Sequence, residues 1–358
     1  MKILHSFAIV ISSLLTFYSI QTHASENVSP EIQQKIHRIE NGLLYPVVIR
    51  GESIERMNLI ERMKFYKTPG VSIAFVNNGR IEWAKGYGVR EIGRNDPVTP
   101  ETLFQAGSIS KSVTAVAALR LVQTGKLNLD EDINQKLVSW KVPANEFIKE
   151  KKVTLRRLLS HTAGINVRSF TGYLSGEQIP TLLQVLDGVK PANNPPVRVE
   201  STPGNGFAYS GGGYTIVQQL LVDVEKKSFP DLMQHLVFDP LKMKSSTFDQ
   251  SVPEHSPNLF AAGHDSNGET KSGQWRIFPE MAAAGMWATS TDLANVVIEL
   301  QKVQAGKSDN FLTSAMVRQM LTPVSDNYGL GFFIEGAEKN RYFNHGGSTL
   351  EFNAYLLG

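Results

Sequence analysis

The sequence predicts an α+β fold: an antiparallel sheet flanked by helices and interrupted by an inserted, mainly helical domain. Three observations carry that expectation. Two β-rich runs flank an Asn-Gly pair near residue 78, further β-rich pieces gather after residue 328, and the stretch between them is helical in pattern. This order assigns residues 25–103 and 286–358 to the sheet domain and 104–285 to the helical insertion.

Residues 1–24 read as a secretory signal. Lys2 supplies the positive start, Phe7 to Ile20 is mostly apolar, and Thr22-His23-Ala24 resembles a small-residue cleavage site. The apolar run is short for a membrane span, and polar sequence follows it directly, so cleavage after Ala24 is expected rather than a stable membrane anchor. The expected location is periplasmic or secreted. Zero cysteines suit such a protein if it needs no oxidative folding, and they exclude disulfide scaffolds, thiolate zinc sites and cysteine nucleophiles.

Residues 30–42 and 53–65 have apolar residues at helical spacing. Val71 to Val76, then Asn77-Asn78-Gly79, then Ile81 to Val89 form a hairpin signal. From Ser108 to Thr124 the chain is apolar on nearly every face, so this helix is buried, and Gly125 stands where a C-cap belongs. Helical stretches separated by Pro- and Gly-containing loops, notably 190–206, continue to residue 285. Helices over 291–304 and 312–321 follow, then β-rich pieces at Tyr328–Ile334, Arg341–Asn344 and Phe352–Leu357.

Of 358 residues, 36 are Lys or Arg and 34 are Asp or Glu, a net charge of +2 without a block of one sign. That balance gives no support to a nucleic-acid partner. The mature-chain histidines form no His-x-His or His-Glu-x-x-His pattern, so neither a metal nor a cofactor is expected.

Ser108-Ile109-Ser110-Lys111 places Ser108 and Lys111 one turn apart on one helix face. A serine hydroxyl is a weak nucleophile until a base takes its proton, and a lysine held neutral by burial can do so. The same string also describes a serine N-cap followed by a solvated lysine, so the spacing needs corroboration. Tyr209-Ser210-Gly211-Gly212-Gly213 reads as a glycine-rich loop. Its phenol could act as a general base beside ammonium groups, or be a core tyrosine. His345-Gly346-Gly347-Ser348 reads as a strand whose glycines admit a close neighbour, leaving the Ser348 N–H free to bind an oxyanion together with that of Ser108. A strand-end turn with an ordinary histidine explains it equally. His161, within Leu158 to Ile165, reads as a structural histidine in a helix-ending loop.

Together, Phe104 to Lys111, Gly125-Lys126-Leu127-Asn128-Leu129-Asp130, Leu158 to Ile165, Phe207 to Ser210, Asp239 to Met243, Ala284-Gly285-Met286 with Ser290 to Leu293, and Tyr328-Gly329-Leu330-Gly331 resemble the serine β-lactamase-like family over about residues 60 to 358. That family contains class C β-lactamases, D-Ala-D-Ala carboxypeptidases, D-aminopeptidases and esterases. The resemblance implies a β-lactamase/transpeptidase-like fold and an acyl-enzyme mechanism, with Ser108, Lys111, Tyr209 and His345 catalytic and Ser348, Gly211, Gly346 and Gly347 binding substrate. It further implies that His345 lines the pocket and helps bind or polarise Tyr209. The implied substrates are small esters, β-lactams or peptidoglycan-type molecules. A protein that acylates but barely deacylates would need the same nucleophile.

The sequence departs from the family pattern in places. Gly211 replaces a frequent Asn, His345-Gly346-Gly347 replaces Lys-Thr-Gly, and Glu351 stands where many relatives have Gly. The Gly211 departure favours esters over amides. Relatives continue beyond the equivalent of Gly358 with a strand and a helix, so the resemblance implies an incomplete sheet here.

Overall fold

A computed structural model describes residues 29–45, 47–251, 257–270 and 274–358. The expected signal and its cleavage site at Ala24 lie outside the described residues.

The first helix, α1 (Pro30–Glu40), starts where Ser29 accepts the Ile32 N–H and Pro30 needs no amide partner. A short antiparallel pair follows, β1 (Leu43–Leu44) with β2 (Arg56–Met57), and then α2 (Leu59–Phe65). The helix expected over 53–65 therefore begins only at Leu59. Residues 56 and 57 are held in the pairing, and Asn58 Oδ1 accepts the Ile60 N–H to start the helix.

Strands β3 (Gly70–Asn77) and β4 (Arg80–Gly88) form the expected hairpin. Asn78 and Gly79 both take positive φ, 52° and 70°, as a turn matching the twist of the two strands requires. Strand β5 (Phe104–Gln105) leads into α3 (Ile109–Gln123), which is buried along most of its length and ends at Thr124, with Gly125 at φ 74°.

The middle of the chain holds α4 (Leu155–Leu159), α5 (Leu182–Asp187), α6 (Gly211–Glu225), α7 (Phe229–Met233) and α8 (Met281–Ala284). Helix α6 packs against each of them and against α3. Gly211 to Gly213 are its first turn rather than a loop, because Ser210 caps it by accepting the Gly213 N–H at 3.0 Å.

The chain returns through β6 (Trp287–Ala288), which pairs with β5, then α9 (Ser290–Gln304), α10 (Ser314–Met320), β7 (Phe333–Glu335), β8 (Tyr342–Ser348) and β9 (Asn353–Leu357). The strand expected over 328–334 shrinks to its end. Gly331 bends the chain at φ 92°, the Leu330 N–H goes to Met320 O, and Gly331 O accepts from Ser112 Oγ at 2.6 Å. Strand β8 runs past Asn344 to Ser348, because its glycines pair with Tyr355 and Ala354 of β9.

Among the described residues, antiparallel strand pairing is thus divided among four small sheets, β1–β2, β3–β4, β5–β6 and β7–β8–β9. Helix α9 lies against β3, β4 and β9 and joins the hairpin to the last sheet. One large apolar core runs from Ala106 through α3 and α6 to Phe343 and Leu356. A smaller cluster of Leu103, Phe260, Ala261, Trp287 and Phe352 packs behind β5.

Candidate active site

The N-terminal end of α3 meets the C-terminal end of β8, and two glycines permit the approach. Gly107 takes φ 51°, and a Cβ there would lie 2.7 Å from Ser348 N. A Cβ on Gly347 would lie 1.9 Å from Ala106 O, a distance no side chain survives. Ser108 and Ser348 therefore stand on segments in direct contact.

The three serines at the start of α3 are not equivalent. Ser110 Oγ donates to Gly107 O at 2.6 Å and accepts the Met286 N–H at 3.0 Å, and Ser112 Oγ donates to Gly331 O. Both are committed to structure. Half-buried Ser108 makes no capping bond through its side chain and faces Lys111, whose Nζ donates to Ser108 Oγ at 3.0 Å and to Ala283 O at 2.7 Å. Lys111 is only 2% exposed, so the solvated first-turn lysine does not describe it. Ala283 belongs to α8, 172 residues away in sequence. Nothing in the local pattern announced that carbonyl.

Tyr209 precedes the cap of α6 and is half-buried. Lys111 Nζ lies 5.1 Å from its ring centre, and its hydroxyl makes no hydrogen bond among the described residues. The Tyr209 and His161 ring centres are 4.3 Å apart, tilted by 38°.

His345 is brought to the same neighbourhood but faces elsewhere. It is 1% exposed, its ring centre is 6.3 Å from that of Tyr209, and its two nitrogens are engaged by Gly346 O at 2.7 Å and Tyr328 Oη at 3.2 Å. A carbonyl can only accept, so Nδ1 carries the proton and Nε2 accepts from the Tyr328 hydroxyl. Burial, reinforced by the Lys111 charge, pushes this imidazole down to about 4 and keeps it neutral. The expectation that His345 lines the pocket and polarises Tyr209 is corrected: both nitrogens are spent on the interior. Tyr328, part of a string noted in the sequence but given no role there, is its partner.

Ladder geometry places the Ser348 amide. Phe343 and Gly358 exchange both backbone bonds at 2.9 Å, so the alternation of an antiparallel ladder makes 345/356 and 347/354 the next bonded pairs. Ser348, opposite Asn353, falls between the second of these and the Thr349–Phe352 bond. Its N–H points away from β9, on the side where pairing with β7 has ended at Phe333↔Asn344. The Ser108 N–H precedes the first amide bonds of the helix, which start at Ile109. The amides of Ser108 and Ser348 thus lie outside the helix and ladder bonding on two contacting segments. Gly346 is exposed next to them, and among the described residues a Cβ there would meet only the Tyr355 ring, at 3.8 Å.

Gly211 is buried, and the space a side chain would enter is occupied. Its Cβ would stand 3.1 Å from Phe170 Cε2 and 3.2 Å from Arg168 O, and its N–H donates to that same carbonyl at 2.9 Å. The segment from Asn166 to Phe170 closes over the first turn of α6 because these positions are glycine. Sequence reading had no signal for Phe170.

Comparison with known proteins bears on family and fold. The family model described as Beta-lactamase matches residues 57–357. "Protein flp" of Staphylococcus aureus (strain MW2) is 25% identical over 300 residues, covering 81% of this chain and 57% of that protein. "Teichoic acid D-alanine hydrolase" of Staphylococcus aureus (strain MRSA252) is 23% identical over 272 residues, covering 74% of this chain and 62% of that protein. The chain thus spans less than two thirds of the length of these curated relatives. The solved octameric penicillin-binding protein homologue from Pyrococcus abyssi superposes with a TM-score of 0.68 at 25% identity, covering 83% of this chain and 68% of that one.

Proposed function

The chain belongs to the β-lactamase family, and from that premise we propose that it is an exported serine hydrolase working through an acyl-enzyme on small esters in preference to amides. The observation that carries the reading is the Ser108–Lys111 pair, 3.0 Å apart, with the lysine buried and anchored on Ala283 O. Export is supported by the N-terminal pattern of Lys2, the apolar run and Ala24.

The chemistry proceeds in two halves. With Lys111 as the free amine, its contact with Ser108 runs from hydroxyl to nitrogen, and the proton passes to Nζ as Ser108 Oγ bonds the substrate carbonyl carbon. The N–H groups of Ser108 and Ser348 stabilise the oxyanion. Collapse breaks the bond to the leaving group, which takes a proton from the Lys111–Tyr209 pair. Water then attacks the acyl-enzyme, with Tyr209 as base, and Ser108 is released. His345 and Tyr328 support this floor from the buried side.

Ester preference rests on Gly211. A side chain there would be the natural anchor for the amide of a peptide or β-lactam, and Phe170 fills its place. A missing hydrogen bond to a charged group costs about 1.5–3 kcal/mol, or about tenfold to a hundredfold in rate. Esters with good leaving groups depend on that anchor less. The related "Teichoic acid D-alanine hydrolase" is named for a hydrolytic activity, which agrees with the class of reaction.

A fluorophosphonate or β-lactam probe should add its mass to the peptide containing Ser108, and Ser108→Ala should abolish labelling. Labelling that survives this substitution refutes the nucleophile. Repeated turnover of a p-nitrophenyl ester supports the hydrolase, whereas one stoichiometric burst identifies a protein that acylates without deacylating.

A further inference from the structure

His161 is held at a cost on three counts. Its φ is 57°, the left-handed region that non-glycine residues avoid; it is 2% exposed; and its Nε2 has no hydrogen-bond partner among the described residues. A left-handed helix end is ordinarily served by Gly or Asn, so turn chemistry does not explain an imidazole here. Costs that the surrounding structure sustains in this way point to a role.

The imidazole and its backbone grip the residues on both sides of Tyr209. His161 O accepts the Ala208 N–H at 2.7 Å, and Nδ1 accepts the Ser210 N–H at 3.1 Å. Between these two bonds the imidazole lies against the Tyr209 ring, centre to centre 4.3 Å. It is wedged there by Tyr214, Tyr328 and Phe207, whose ring centres are 5.3, 5.0 and 5.7 Å away. We infer that His161 is a positioning residue for Tyr209: its carbonyl and Nδ1 hold the two flanking peptide groups, and its ring sets the plane of the phenol above Lys111. Burial, reinforced by the Lys111 charge, keeps the imidazole neutral, so Nδ1 remains an acceptor.

The inference rests on the reading that Tyr209 takes part in hydrolysis, and the test separates the two. The full chain carries H161N, H161F, Y209F and the double variant H161N/Y209F. Asparagine tolerates positive φ and can accept the Ser210 N–H but has no ring; phenylalanine keeps a ring and has no acceptor. With a short-chain p-nitrophenyl ester, H161N should lose about tenfold or more in kcat with KM changed less than about twofold, while fluorophosphonate still labels Ser108 stoichiometrically. H161F, although the poorer fit to the backbone, should retain more kcat than H161N. In the Y209F background H161N should add less than about twofold, because its effect passes through the phenol.

Normal kcat in H161N, the order of the two variants reversed, or an undiminished further loss in the Y209F background overturns the inference alone. Where H161N yields no folded protein, H161F is read by itself: a loss as large as that of Y209F, or no loss at all, overturns it, and an intermediate loss supports it. Wild-type protein that neither labels nor turns over refutes the hydrolase reading and this inference with it.

Discussion

Glu280 makes a prediction that can be worked through in numbers. It immediately precedes the helix carrying Ala283, the anchor of Lys111, and it is fully buried with neither carboxylate oxygen hydrogen-bonded among the described residues. Burial penalises the ionised form and pushes this carboxyl up to about 8 from an ordinary 4.5. Below pH 4.5 both folded and unfolded chains hold the proton, and the shift costs nothing. Between 4.5 and 8 the unfolded chain releases the proton while the folded one keeps it. Stability therefore declines as pH rises through this window, and above 8 the whole penalty applies. At about 1.4 kcal/mol per pH unit, the total is roughly 3–5 kcal/mol. Glu280→Gln keeps the shape and removes the ionisation. Urea unfolding of both proteins from pH 5 to 9 should show the variant gaining on the wild type steadily to about pH 8 and holding level beyond. A stability difference that stays flat across this range refutes the buried, protonated carboxyl.

His345 should act in the opposite sense on the acid side. With its folded value near 4 and an ordinary value of 6.5, it contributes stability that is present above 6.5 and lost as pH falls toward 4, in total roughly 3 kcal/mol. In thermal melts His345→Gln should remove that part of the acid sensitivity, and an unchanged slope between pH 4 and 6.5 counts against it. Gly211→Asn should destabilise by about 1–3 kcal/mol, because its side chain collides with Phe170 and the Arg168 carbonyl. Pairing it with Phe170→Ala should recover stability and narrow the ester-over-cephalosporin ratio in kcat/KM. No recovery would show that Phe170 is not the obstacle. Glu351 is 4% exposed and pairs with Arg276 Nε at 2.7 Å, so Glu351→Leu should cost about 3–5 kcal/mol by urea unfolding, and Arg276→Met/Glu351→Leu together far less. Strictly additive losses would refute the pairing.

Much of this protein is legible before it folds, wherever the cause lies between near neighbours in the chain. The Asn78-Gly79 turn needs two positive φ values that those residues adopt readily, so the hairpin could be read directly. The α3 helix is apolar all round, and a spacing of three residues alone puts Ser108 beside Lys111. The family strings reached further and gathered Tyr209, His345 and Ser348 into one neighbourhood. They misjudged orientation, because a string carries no information about which groups lie across from it. His345 turns inward since Tyr328 Oη and Gly346 O meet its nitrogens there, and Tyr328 arrives only after Gly331 bends what looked like a continuous strand. Burial of Lys111 depends on a carbonyl 172 residues away, the filled space beside Gly211 depends on Phe170, and the role of His161 depends on rings from two separate stretches, 207–214 and Tyr328. Chain geometry over one turn decides which side chains can meet. Desolvation and close packing decide which way they face, and those exist only once distant segments have closed together.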